Sequence, residues 1–587
     1  MSSYVAPLKD MRFALNELSG LSEVAKLPGY QDATPDTVDA ILEEASKFAS
    51  EVLDPINYSG DQEGSKFSDG EVRTPKGFRN AYKRFCEGGW NALPFEAEWG
   101  GQGLPRLVST PVQEMWKSSN MSFSLCPLLT QGAIEALLLR GSEPLKQAYL
   151  PSMVEGKWTG TMNLTEPQAG SDLSLVKTKA QRSGDHYLIS GQKIFITYGE
   201  HDLAENIVHL VLARTPDAPE GVKGISLFIV PKFIPNKDGK PGKRNTAKCA
   251  SIEHKLGIHA SPTAVMVYDK AVGYVVGEEN RGLEYMFIMM NAARFAVGLE
   301  GVAIAERAFQ RALAFARERV QGRDLVGGGG AVPIIRHPDV RRMLMLMKSQ
   351  AEAMRALAYT TAAALDFAQR HPDRELRKKH QAFVDLMIPV VKGWCTETGI
   401  DVASLGVQVH GGMGFVEETG AAQYLRDARI TTIYEGTTGI QAMDLVGRKI
   451  AREGGATAKA WLAELKKLDA QLAGHPEIRK SLAEGVKAVE DCVEFIVGAK
   501  DPRAQFAGAV PFLKLMGIVA GGWQMARAAL IAEKQLKTGD KDFLEAKIAT
   551  ARFYADHVLV QAPGLRNTVV NGAAGVLALS EDQFLAA

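Results

Sequence analysis

Between about Gly156 and Gly277 the sequence changes its period, and this change constrains the fold more than any other feature. Upstream and downstream, apolar residues recur at helical spacing, as at Val38, Ile41, Leu42, Ala45, Phe48 and Ala49. Inside the interval they come in short β-prone runs: Tyr187-Leu-Ile, Lys193–Thr197, Asn206–Ala213, Ile225–Val230 and Thr263–Tyr268. Turn residues separate all of them, Ser190-Gly191 included, so a compact β domain set between helical domains is expected. Pro231–Lys248, rich in Lys, Gly, Pro and Asn, reads as an exposed loop. A chain of 587 residues exceeds one hydrophobic core, and two to four packed domains follow.

The helical parts carry their own punctuation. Loops are expected at Ser59–Thr74 and at Pro94–Pro105, where Trp99-Gly-Gly-Gln-Gly103 makes a tight turn. Leu283–Arg319 and Arg341–Arg370 read as long helices separated by a glycine break at Gly327–Gly330. Met343, Met345 and Met347 read as gap-filling core. Residues 1–40 are polar, with one helical piece around Met11–Leu21, and beyond Gly454 Ala- and Lys-rich helical segments follow. No internal repeat is evident. The expected organisation is an N-terminal extension (1–40), a helical domain (41–158), a β domain (159–278), a second helical domain (279–452) and an additional helical domain (453–587).

Lys+Arg and Asp+Glu both number 68, so no overall field draws the chain to nucleic acid or anionic lipid. The five cysteines are scattered without a CxxC, which speaks for a reducing compartment. The N-terminus lacks a basic-then-apolar signal pattern. The longest apolar stretch noted, Phe512–Ala532, is interrupted by Lys514, Gln524 and Arg527, so no membrane association is expected. A cytoplasmic location is the expectation.

No GxGxxG follows a strand, and GxxxxGK[ST], HExxH and GxSxG are missing, so neither a Rossmann site nor a metal is called for. Chemistry concentrates instead in Tyr424–Gln441. There a β-prone run, Ile430–Tyr434, delivers Glu435 to a break at Gly436, with helical spacing resuming after Thr437 and Thr438. A glutamate between an apolar approach and a glycine can be desolvated, aimed and used as a base. The glycine lets a substrate oxygen approach the backbone N–H. The plain alternative is a glutamate at a helix start. Met162-Asn-Leu-Thr-Glu-Pro-Gln-Ala-Gly-Ser-Asp172 offers hydroxyls and loop N–H groups suited to phosphate or a polar heterocycle, or else is a turn. Gln192–Thr197 could be merely a strand, and Gln408–Gly414 merely a join between helices.

Taken in order, Thr165–Asp172, Gly191–Thr197, Lys255–Ser261, Gln408–Gly414, Arg426–Arg429 and Tyr434–Thr437 resemble the signatures of the acyl-CoA dehydrogenase family. They span roughly residues 90–450. The resemblance implies an α+β multidomain fold with an N-terminal helical domain, a central β-domain, a C-terminal four-helix-bundle domain and, here, an extra C-terminal helical domain. It implies an oxidoreductase acting on an acyl-CoA thioester, with FAD as cofactor and electron-transfer flavoprotein as acceptor. By that resemblance Met162, Leu164, Thr165, Gly170 and Ser171 would touch the flavin and its phosphate side, and Phe195, Ile196 and Thr197 would lie along its ring. Arg319, with Gln408, Gly411 and Gly412 reaching from another subunit, would hold the adenosine end, which makes a homo-oligomer, at least a dimer, the expected state. Thr437 would contact the flavin. Glu435 would be the base, with Ser171, Asn291, Arg294 and Gly436 on the substrate. Some members carry the base just before the arginine matching Arg294; here that position is Ala293. Other departures are Arg319-Val-Gln-Gly-Arg323, one residue shorter than the usual pattern, Gly439 for a usual glutamine, and Asn291 for a common aspartate.

The extended ends, including Tyr4–Phe13, resemble a longer branch of the family acting on 3-(methylthio)propanoyl-CoA. A general short- or medium-chain acyl-CoA dehydrogenase is the alternative, since methionine-type sulfur is apolar and polarisable. An oxidase would be distinguished by peroxide formed in air. A DNA-protective relative would need a basic C-terminal domain, and charge after residue 450 is balanced.

Overall fold

The computed structural model describes residues 3–326 and 329–585. The expected glycine break falls partly on Gly327 and Gly328, which lie outside the described residues. Two compact units interleave along the chain: residues 44–104 with 115–296, and residues 1–43, 105–114 and 297–587.

The first of these units holds a seven-stranded sheet. Its path runs Trp158–Asn163, Asn206–Ala213, Ser226–Pro231, Thr263–Val275, His186–Thr197, Lys179–Ser183, with Ala247–Ile252 paired to Thr263–Val275. Trp158–Asn163 and Asn206–Ala213 pair in parallel and the other pairs are antiparallel. Asn206–Ala213 and Ser226–Pro231 are buried at every position, which is why they read as apolar runs without alternation. The helix Met121–Arg140 lies directly on Trp158–Asn163: a Cβ on Gly160 would come within 2.5 Å of the Ala133 methyl, and Gly160 N–H donates to Thr130 Oγ1 at 3.0 Å.

Three loop expectations are corrected here. Ser190-Gly191 is no turn; His186–Thr197 is one strand, paired on both sides, and Gly191 passes so close to Thr178 that a Cβ would meet its Oγ1 at 2.6 Å. Pro231–Lys248 contains the hairpin Phe233–Pro235/Pro241–Arg244, its turn closed by Asn236 Oδ1 accepting from the Asp238 and Lys240 N–H groups. Ser59–Thr74 holds the end of the helix Asn57–Glu63 and a hairpin, Lys66–Ser68/Glu71–Arg73, around Asp69-Gly70. Both turn residues have positive φ, 52° and 84°, the Asp-Gly hairpin signal that the sequence did carry.

In the other unit the bundle consists of Gly282–Glu318 from Val297 onward, Pro338–Arg370, Arg374–His410, and Thr438–Met443 continued as a π-helix over Asp444–Ala451. The additional domain is built from Ala456–Lys466, Pro476–Gly498, Ala509–Gln535, Lys541–His557 and Ala562–Asn571. Ala509–Gln535 packs hard on the bundle, since a Cβ on Gly517 would fall 2.0 Å from Trp394 Cγ. The segment expected as a polar extension is woven into the same unit: Tyr4 is buried ahead of the helix Leu8–Phe13, and Met11, Phe13, Leu15 and Leu18 are buried in that helix and the π-helix Ala14–Leu18. Met343 and Met347 are buried and Met345 half-buried, as gap-filling core requires. Among the described residues three helices, Met121–Arg140, Gly282–Glu318 and Ala509–Gln535, are long and apolar enough to span a membrane by length and composition, where the sequence reading found none; most of each apolar stretch is buried inside the protein.

Candidate active site

The β-prone run before Glu435 is not a strand. Arg429–Thr432 is a 3-10 turn, because no edge is there to pair with and the hydroxyls of Thr431 and Thr432 turn back onto the Ala428 and Arg429 carbonyls. The chain then passes Tyr434 and enters two consecutive left-handed residues, Glu435 at φ 56° and Gly436 at φ 90°. A non-glycine residue pays about 1–2 kcal/mol for that conformation. Gly436 has no alternative, since a Cβ would also sit 2.6 Å from Gln441 Nε2.

The surrounding bonds over-determine this kink. Tyr434 Oη donates to Glu300 Oε2 at 2.5 Å. The ammonium of Lys392 donates to the Gly436 carbonyl at 2.7 Å, and Gln441 Nε2 donates at 3.3 Å to the Glu435 and Gly436 carbonyls. Glu300, Lys392 and Gln441 are all buried. Hydrogen bonds to charged groups contribute about 1.5–3 kcal/mol each, enough to exceed the backbone strain. Thr437 Oγ1 then caps Thr438–Met443 by accepting from Ile440 N–H at 3.2 Å, leaving its own hydroxyl hydrogen to donate, and Thr438 donates to Glu397. Glu435 itself is half-buried. Burial, with the carboxylates of Glu300 and Glu435 nearby, pushes the Tyr434 phenol well above its usual range, so it remains a donor.

In the same unit Arg319 is exposed just beyond Gly282–Glu318, where the hairpin Val320–Arg323/Ala331–Pro333 begins. One turn earlier, Phe315 stacks on His410 of the Gln408–Gly412 segment, with ring centroids 4.4 Å apart. Arg374–His410 ends there through Gly411 N–H donating to the Gln408 carbonyl, with Gly411 at φ 60°. Gln408, Gly411 and Gly412 are exposed.

The remaining candidates belong to the unit that carries the sheet. Met162 is the penultimate residue of Trp158–Asn163, Leu164 and Thr165 follow the strand, and Thr165 O accepts from Ile194 N–H at 2.9 Å, tying this turn to His186–Thr197. Glu166 is the hub of the turn, accepting from the Lys177 and Thr178 N–H groups, the Thr178 hydroxyl, Gln168 and, at 2.8 Å, Lys193. Burial opposes its charge, yet Lys193 and these donors hold the carboxyl down at about 2. Burial lowers Lys193 to about 8. Gly170 and Ser171 are exposed, with open space where a Gly170 Cβ would stand. Phe195 is 60% exposed at φ 59°, an aromatic face presented by a strained residue, while Thr197 is half-buried. The side chain of Ile196 is different: it belongs to the sheet core with Ala264 and Phe228, so only its backbone is available to a ligand. Arg294 is buried, reaching Asn291 Oδ1 at 3.4 Å with its guanidinium 5.8 Å from the Phe287 ring; Asn291 is exposed and Ala293 buried.

Sequence reasoning missed Glu300, Lys392 and Gln441. A signal existed for the first two, each a charge inside an apolar stretch: Val297–Val302, and Met387–Trp394.

Models of the acyl-CoA dehydrogenase N-terminal, middle and C-terminal domains match residues 35–157, 161–271 and 280–451, and one described as acetyl-CoA dehydrogenase C-terminal like matches 456–580. The 3-methylmercaptopropionyl-CoA dehydrogenase of Ruegeria pomeroyi is 51% identical over 98% of this chain and 100% of its own. A butyryl-CoA dehydrogenase of Syntrophomonas wolfei is 35% identical over 97% of this chain and 96% of its own. Among solved structures, an acyl-CoA dehydrogenase complexed with FAD from Bacillus anthracis shares the fold, with TM-score 0.74 and 21% identity, covering 98% of this chain and 93% of that one.

Proposed function

The chain belongs to the acyl-CoA dehydrogenase family, and on that premise we propose that it oxidises 3-(methylthio)propanoyl-CoA to 3-(methylthio)acryloyl-CoA, with Glu435 as the base. The enzyme is an oxidoreductase. The observation that carries the substrate is the 51% identity, over the whole length of the relative, to a protein named for that thioester.

The residues present fit FAD: Phe195 offers an exposed aromatic face at a strained position, Thr165 and Ser171 offer hydroxyls, and Gly170 leaves room for close approach. When bound, FAD supplies the acceptor for the hydride that leaves the substrate β carbon. The chain's own part is the proton. Glu435 takes it from the carbon α to the thioester, the Cα–H electron pair becomes the new Cα=Cβ bond, and the β hydrogen departs with its pair. The Glu435 N–H, in the peptide that joins it to the anchored Tyr434, would donate to the thioester oxygen where enolate-like charge develops. Arg294 and Asn291 would face the CoA portion. Electron-transfer flavoprotein is the proposed acceptor of the electrons. A homo-oligomer is proposed as the working state, because Gln408, Gly411 and Gly412 lie exposed beside an apolar surface.

A general short-chain dehydrogenase is the second reading, favoured by the similarity to a butyryl-CoA dehydrogenase. Comparing kcat/KM for 3-(methylthio)propanoyl-CoA, its isostere pentanoyl-CoA and butyryl-CoA decides between them. A preference of about tenfold or more for the thioether is expected, near the scale one group contributes in an apolar pocket. Equal or lower kcat/KM for the thioether would transfer the assignment to the second reading.

A further inference from the structure

Glu435 is bracketed by two buried charged side chains that come from different helices. Glu300 comes from Gly282–Glu318 and accepts from Tyr434, the residue before Glu435. Lys392 comes from Arg374–His410 and donates to the carbonyl of Gly436, the residue after it. Burying a carboxylate and an ammonium is unfavourable compared with apolar side chains of the same volume, so packing alone gives no reason for either. Each has a hydrogen-bond partner directly beside one residue, and that residue is held left-handed.

We propose that Glu300 and Lys392 are positioning residues for the reaction, clamping the flanks of Glu435 so that its carboxylate is held in one orientation for proton abstraction. The inference rests on the reading of Glu435 as the base. The Tyr434 hydroxyl fixes where the chain enters the kink. The Lys392 ammonium fixes the plane of the peptide that leaves it, and Gln441 Nε2 donates more weakly to the Glu435 and Gly436 carbonyls. With both flanks fixed, the place of the carboxylate depends on the Glu435 side-chain torsions alone. Loss of one anchor lets the peptide relax out of the left-handed region and swings the carboxylate away. A displacement of about 1 Å at a reacting group costs on the order of 10²-fold in rate.

The test is stopped-flow reduction of the FAD-loaded enzyme by 3-(methylthio)propanoyl-CoA, followed by bleaching of the flavin. Tyr434→Phe and Glu300→Ala are expected to slow the limiting rate roughly 10- to 100-fold, with the half-saturating substrate concentration within about threefold of wild type. Glu300→Gln, which keeps an acceptor for the phenol, is expected to recover most of the rate lost in Glu300→Ala. An α-deuterated substrate should show a larger isotope effect in the slow variants, as proton abstraction limits more of the step. A merely structural role moves stability and flavin content instead, and leaves the isotope effect where it was. Tyr434→Phe removes one hydroxyl from the same anchor and decides the matter even if Glu300→Ala does not fold. Limiting reduction in Tyr434→Phe within about twofold of wild type overturns the positioning role. Glu435→Gln separates the two levels: reduction at the wild-type rate there removes the base assignment itself, whereas loss of reduction in Glu435→Gln beside an unimpaired Tyr434→Phe removes only the clamp.

Discussion

Lys193 has two partners, and both lie in the turn that carries Thr165. Its ammonium donates to Glu166 at 2.8 Å and to the Leu164 carbonyl at 2.9 Å, fully buried. Replacing it by Met leaves a buried carboxylate and a buried carbonyl behind. Lys193→Met should cost about 3–5 kcal/mol of stability and loosen the turn. It should also release FAD, read as flavin absorbance per chain after gel filtration; full flavin retention with an unchanged melting temperature would refute this. The sign of the pH effect is fixed by the direction of the shift. Glu166 is lowered from 4.5 to about 2, so its contribution is complete above about pH 4.5 and fades as pH falls toward 2. Strand alternation would put Lys193, Phe195 and Thr197 on one face. The actual arrangement, with Lys193 buried and Phe195 exposed, follows from the positive φ at Phe195, a backbone feature that side-chain periodicity does not encode.

At the scale of elements, the helix Arg106–Ser119 begins on a cap supplied by another helix. Asp366, in Pro338–Arg370, accepts from the Arg106 and Leu107 N–H groups at 2.9 Å and from the Tyr30 hydroxyl at 3.0 Å. Burial dominates these donors and pushes its carboxyl up to about 6 from 3.8. With the folded value above the unfolded one, stability from this group is complete below about pH 3.8 and is lost as pH rises through 6. The span of about two units corresponds to about 3 kcal/mol. The melting temperature of wild type minus that of Asp366→Asn should therefore become more positive from pH 7.5 to pH 5; a difference that stays flat would contradict the account. Nothing near Asp366 in the sequence announces this cap, because its partners lie about 260 residues upstream. The helices themselves were legible: the long Leu283–Arg319 and Arg341–Arg370 readings match Gly282–Glu318 and Pro338–Arg370 to within a turn. The kink at Glu435 was legible in Gly436 and misread just before it, where β-branched Ile-Thr-Thr-Ile had no partner strand.

At the scale of the molecule, the unit that carries Glu435 is closed by charges drawn from both ends of the chain. Arg355 pairs with Asp10, Glu114 and Glu306, while Lys547 pairs with Asp10 and Glu352. The segments that look peripheral in sequence thus meet in one buried network, which composition could not reveal. What that unit leaves uncovered bears on assembly. Just beyond Arg374–His410, Phe415 is 90% exposed, with Met413 and Val416 exposed beside it and Gln408, Gly411 and Gly412 next in line. A phenylalanine ring left in water forgoes about 1.5–3 kcal/mol of burial. In a twofold-symmetric pair the same residue would be buried twice, once on each side. Phe415→Ser should therefore weaken self-association by about 3–6 kcal/mol, twice the value for one ring. Because Gln408, Gly411 and Gly412 would reach a neighbour's FAD, the same dilution that splits the variant should also shed its flavin. Light scattering across a dilution series, with flavin fluorescence read on the same samples, follows both. Wild-type mass and wild-type flavin retention in Phe415→Ser at every concentration would exclude this surface as the contact between copies.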